Sequence, residues 1–321
     1  MEPVHERFGF IASSDNHNAR PGTGYKEMNR RLYTEAAGPE SEAWRDRIFG
    51  APADPTPTSK RWEREELLKL PPFRLLDLER QASFFMTGGL VAVHSAGRSR
   101  DAIWDALKRR EVYGTSGPRI LLWFDLVNGP DGVAPMGSEV AMSEPPRFRV
   151  RAAGSFVQKD GCPDFGTGGL PQADIDRICA GACYNPGDER LRITRIEVVR
   201  IRPQISDGEE VAPLIEDVWK SLDCPATGTC EVEFDDPELT AGGRDVVYYV
   251  RAIQEPTEAV NGGGLRCKDA DCKDVDICYG DWRTSRDDDC LSPAEERAWS
   301  SPIFVDHVAP PADAVDAGVA P

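Results

Sequence analysis

Residues 88–127 read GGLVAVHSAGRSRDAIWDALKRREVYGTSGPRILLWFDLV. The apolar run LVAVH closes on the glycine loop SAG, as a buried strand does. Ser99 then stands where a helix N-cap belongs. Asp101 falls in the first turn and Lys108, Arg109 and Arg110 in the last, matching the helix dipole. Ile103, Ala106, Leu107 and Arg110 share one helical face. A second apolar run, PRILLWFDLV, follows. Strand, loop, helix, strand predicts a βαβ unit, and with it an α/β domain over residues 1–128.

Upstream, FGFIAS (8–13) has strand character and runs into the polar loop SDNHNARPGTG. Helical patterns occupy 40–50, 60–70 and 73–86, the first two separated by the proline-rich stretch APADPTPTS. Beyond Gly129 the pattern changes. FRVRAAG (148–154), LRITRIEVVRI (191–201), CEVEF (230–234), DVVYYVRAI (245–253) and WSSPIFV (299–305) read as strands. In 191–201 the residues Thr194, Ile196, Val198 and Arg200 fall on one register, and Ile193, Arg195, Glu197 and Val199 on the other. Half-buried strands between long loops predict a β-sandwich-like domain over 129–308. The Ala/Pro-rich tail 309–321 is read as disordered. The expected fold class is thus α/β plus all-β.

The 321 residues carry 38 Lys and Arg against 55 Asp and Glu, a formal net charge of −17. Such a chain repels phosphate backbones and anionic lipid, so nucleic acid is not an expected partner. No stretch approaches the roughly 20 apolar residues of a membrane span, and the first residues lack a signal-peptide pattern. All nine cysteines lie between Cys162 and Cys290. They include no Cys-x-x-Cys pair and no histidine lies among them, which argues against structural zinc and for disulfides in an extracytoplasmic domain. Nine is odd, so at least one thiol is left over or pairs outside the chain. The acidic stretch CKDADCKDVDIC (267–278) fails the EF-hand template and reads as a solvated, disulfide-tied loop.

The motif with chemical potential is Ser14-Asp15-Asn16-His17, just past the run FGFIAS. Asp15 and His17, two apart, can offer a carboxylate oxygen and an imidazole nitrogen to one metal ion, which would lower the pKa of a bound water. The alternative is a loop Asp making an Asx-turn beside an exposed histidine. Arg20 could clamp an anion bidentately, or make a loop salt bridge. His94, at the end of its strand, could contact substrate or shuttle a proton, or could be a hydrogen-bonded strand-end histidine. Thr115-Ser116-Gly117-Pro118-Arg119 reads as a structural turn.

The segments FGFIASSDNHNARPGTGYKE, GGLVAVHSAGRSRDAIWDALKRREVYGTSGPRILLWFDL, YYVRAIQEP and AWSSPIFV, in that order, resemble the domain-of-unknown-function family 3604, allied to the PHP (polymerase and histidinol phosphatase) metal-dependent phosphoesterases. The resemblance implies a distorted (β/α) barrel with a cluster of zinc, manganese or iron, whose last metal motif is Asp-x-His, matched by Asp15 and His17. The family's opening Asp-Leu-His-x-His motif is absent from these 321 residues. The resemblance therefore implies the C-terminal part of such a barrel, with a missing N-terminal half as its partner. The expected function is a metal-dependent, phosphoesterase-like hydrolase of a small-molecule substrate, with Asp15 and His17 as metal ligands and Arg20 and His94 as substrate contacts. The alternative is a non-catalytic extracytoplasmic binding or interaction module.

Overall fold

The computed structural model describes residues 7–13, 27–30, 40–49, 63–69, 89–164, 168–239, 243–260, 265–271, 273–279 and 281–309. The predicted helix at 73–86 and the tail beyond residue 309 lie outside them. Two short helices, α1 (Glu42–Phe49) and α2 (Arg64–Leu67), fall within the expected helical stretches. The helix α3 (Arg100–Lys108) is capped as its sequence predicts, the Ser99 side chain accepting from the Ala102 N–H at 3.2 Å. A fourth, α4 (Gln172–Cys179), was not foreseen.

One eight-stranded sheet dominates. It comprises β1 (Leu90–Val93), β2 (Val112–Thr115), β5 (Glu139–Met142), β9 (Ile193–Ile201), β10 (Ile215–Asp223), β12 (Val246–Gln254), β17 (Arg297–Ser300) and β18 (Ile303–His307). β12 is its spine: β9 pairs along one side, while β17 and β18 share the other, interrupted at Ser301-Pro302. Proline has no N–H to give a ladder, so the run WSSPIFV becomes two strands. A second, four-stranded sheet has the order β11 (Thr229–Asp235), β6 (Arg147–Ala153), β3 (Leu121–Gly129), β4 (Gly132–Pro135). Three two-stranded ladders complete the set: β7 (Phe156–Gln158) with β8 (Pro186–Arg190), β13 (Thr257–Ala259) with β16 (Ser292–Ala294), and β14 (Leu265–Cys267) with β15 (Val275–Ile277).

The two large sheets share one core. Phe124, Phe148 and Phe234 of the smaller sheet stack on one another, and Phe148 meets Tyr248 of the larger at a ring separation of 4.7 Å. As the alternation predicts, Ile196, Val198 and Arg200 are buried together on one face of β9.

The structure corrects the expected α/β plus all-β class. Among the described residues strands predominate, the large sheets are antiparallel except for β18 beside β5, and there is no (β/α) barrel. The unit read as βαβ pairs β1 with β2 antiparallel, Leu90 opposite Thr115 and Val93 opposite Val112. Its last apolar run, now β3, leaves for the other sheet and pairs with β6 and β4. The misreading has a physical cause. Leu122, Phe124 and Leu126 point into the core, but Trp123 and Leu121 on the other face are apolar too, which hides the period of two. β1 is not a buried strand either, since Val91 is well exposed. β1 and β2 join the same sheet as β17, so strands from either side of residue 129 form one ladder.

Candidate functional site

Asp15, His17 and Arg20 lie outside the described residues, but the chain on either side of them is described. Residues 7–13 form no ladder. They lie across the large sheet: Phe10 N–H donates to Ser301 Oγ at 3.0 Å, and Phe8 and Phe10 meet Phe304 and Tyr249 edge-on. Ala12 rests on Gly114 so closely that a Cβ there would come within 2.9 Å of the alanine methyl. Ser13 lies against Gly89, at the end of β1 where Leu90 faces Thr115. The expected strand FGFIAS is therefore an extended strap, half exposed.

After the motif the described chain resumes at Glu27, at the same end of the sheet. Its carboxylate Oε2 accepts a short hydrogen bond from the Val260 N–H. Burial pushes the Glu27 carboxyl up to about 8; the Val260 bond opposes this, and Glu296 and Asp289 add repulsion. Glu296, 2 % exposed, accepts from Ser116 Oγ in the turn after β2. That turn is locked onto β17: Ser116 N–H donates to Arg297 O and Arg297 N–H to Ser116 Oγ, both at 2.9 Å. Next to Glu27, Arg30 is fully buried. Its N–H donates to Asp289 Oδ1 at 2.9 Å and its side chain to the carbonyls of Asp288 and Ser285. Both flanks of the motif thus converge on buried carboxylates with one guanidinium among them. Sequence reasoning missed Glu27 and Glu296. Each sits in an ordinary charged stretch, GYKEMNR and PAEERAW, and no periodicity marks either as buried.

His94 stands at the other end of β1, beyond Val93, so the structure does not bring it to the Ser13 end; four strand residues span roughly 13 Å. Its Nε2 donates to Leu122 O at 2.8 Å, and its ring lies between Tyr113 and Trp123, with centroids 5.4 and 5.7 Å away. The Trp123 face also meets the Arg151 guanidinium. Ser116, read as part of a structural turn, proves to be the residue that ties Glu296 to the sheet.

The cysteines form Cys162–Cys183, Cys224–Cys230 and Cys278–Cys290 disulfides. Cys179 is in none, which answers the odd count. These bonds are consistent with an extracellular protein. Among the described residues no helix is long and apolar enough to cross a membrane.

Neither the curated proteins nor the solved structures contain a match to this chain. Residues 5–129, which take in the motif, Glu27, α3 and Ser116, match the model of the family described as Protein of unknown function (DUF3604).

Proposed function

We propose that the matched part of this chain belongs to a metal-dependent hydrolase, phosphoesterase-like in its chemistry and allied in that respect to the PHP enzymes. Asp15 and His17 would hold a divalent zinc, manganese or iron ion, and Arg20 would orient an anionic small-molecule substrate. The observation that supports this reading is the convergence of the motif's two flanks, Ser13 and Glu27, on the end of the large sheet that buries Glu296 and Asp289. A motif tethered there on both sides stands in a field that favours cations. Carboxylate and imidazole suit borderline metals, and a bound divalent cation supplies Lewis-acid polarisation of an ester. Arg20 offers a planar fork that matches a phosphate. His94 is left out of the proposed site. Its Nε2 is engaged by Leu122 O, and it lies at the far end of β1.

The test is elemental analysis of the purified chain beside an Asp15→Ala/His17→Ala variant. Stoichiometric zinc, manganese or iron that disappears in the variant is the expected result, to be followed by a phosphoester panel. A folded wild-type protein that binds none of these ions when each is added would overturn the reading for this chain and favour a binding module.

A further inference from the structure

The Sγ atoms of Cys162, Cys179 and Cys183 all lie within 4.8 Å of one another, and each residue is half-buried. Two of the three are joined, Cys162 to Cys183, while Cys179 is outside any disulfide. A thiolate attacks a disulfide sulfur through a linear displacement, and holding the thiol beside the bond replaces a bimolecular encounter with an intramolecular one. We propose that this trio is a thiol–disulfide exchange site, in which Cys179 is the attacking thiol and the Cys162–Cys183 bond is traded for one that contains Cys179.

The backbone explains why the sulfurs meet. α4 ends at Cys179, and Ala180 (φ 46°) and Gly181 (φ 80°) both take left-handed conformations. The chain therefore doubles back, with Ala182 N–H donating to Cys179 O at 2.8 Å, and returns Cys183 beside Cys179. This turn is fastened from outside by Asn29, whose Nδ2 donates to Ala180 O at 3.1 Å. Cys162 arrives on the other arm, after β7. The two arms are zipped independently of the sulfurs: β7 pairs with β8, Lys159 N–H donates to Asn185 O at 2.7 Å, and Asn185 Nδ2 donates to Asp160 O at 2.8 Å. Changing which sulfurs are bonded therefore does not release the hairpin.

The step balances within the chain. Cys179 gives its proton to solvent, and its sulfur forms a bond to Cys183 or Cys162. The Cys162–Cys183 bond breaks, and the displaced sulfur leaves as a thiolate that takes a proton from solvent. One disulfide and one thiol are present before and after, so neither oxidant nor reductant is consumed.

The full chain would be incubated without added thiol at about pH 8, where thiolate is abundant, and in parallel at about pH 5. It would then be blocked with N-ethylmaleimide, digested with trypsin and mapped by mass spectrometry. Cleavage at Lys159, Arg177 and Arg190 puts Cys162 on one peptide and Cys179 with Cys183 on the next, so the three pairings differ in mass and linkage. The expected result is maleimide on Cys162 or Cys183 in addition to Cys179, with bonds through Cys179, arising faster at the higher pH. Label confined to Cys179, with the Cys162–Cys183 linkage unchanged at both pH values, would overturn the proposal. A Cys183→Ser variant provides a second reading. A Cys162–Cys179 bond formed on treatment with oxidised glutathione supports exchange, and two stable thiols in a variant with unchanged circular dichroism count against it.

Discussion

The Glu27 carboxyl is buried near Glu296 and Asp289, and its value of about 8 lies above the ordinary 4.5. The folded state therefore holds this proton more tightly than the unfolded chain does. The stability Glu27 contributes is complete below pH 4.5 and is lost as pH rises through 8. Urea titrations across that window are expected to show a decline on the order of a few kcal/mol from this group. Glu27→Gln keeps an acceptor for Val260 N–H and should flatten the decline; an unaltered slope in the variant would show that Glu27 titrates as an exposed acid. Arg200 presents the opposite case, a buried cation with its partners supplied. Its guanidinium reaches Glu216 at 2.6 Å, Asp236 at 3.0 Å and Glu238 at 2.8 Å, and stacks on Trp219. Tyr248 Oη donates to the same Asp236 at 2.6 Å. Arg200→Ala would strand Asp236, which is 1 % exposed, and should cost about 3–5 kcal/mol in chemical denaturation. Tyr248→Phe should cost about 1–3 kcal/mol.

Among the elements, those with one polar face were legible. The alternation in β9 and β12 located both strands to within two residues at each end. The Ser99 cap and the charges at either end located α3 equally well. Elements apolar on both faces were not, β3 above all. The strap 7–13 was misread for a related reason: its phenylalanines cover the sheet from above, a burial that composition cannot distinguish from burial within a ladder. Gly114 permits that approach. A Gly114→Val side chain would collide with Ala12 and lift the strap, costing about 1–3 kcal/mol. Hydrogen exchange at the Phe10 amide, now bonded to Ser301 Oγ, should quicken while the β12 amides stay protected. Equal protection at Phe10 in the variant would mean that the strap is held elsewhere.

For the whole molecule, distant parts of the sequence are mutually dependent. Arg7 pairs with Asp306 at 2.6 Å, β2 lies against β17, and Leu122, Phe124 and Leu126 share a core with Ile196, Val198 and Tyr248. Such long-range pairing makes folding slow and cooperative. Separate pieces covering 1–128 and 129–321 are accordingly expected to lack dispersed amide spectra when expressed alone. A folded 129–321 piece would mean that β1, β2 and most of β3 are dispensable to the core.

From sequence alone came the β-rich second part, the disulfides with one cysteine left over, the cap of α3 and the Asp15-x-His17 motif. All of these depend on neighbours within a few residues or on simple counting. The tertiary structure alone decided that β1 and β2 run antiparallel, that β3 crosses to the second sheet, that Glu27 and Glu296 are buried together and that His94 turns away from the motif. The physical reason is that side-chain period tells a strand which face is apolar but not which strand lies beside it. That choice, and the desolvation of any carboxylate caught by it, is settled by contacts hundreds of residues apart along the chain.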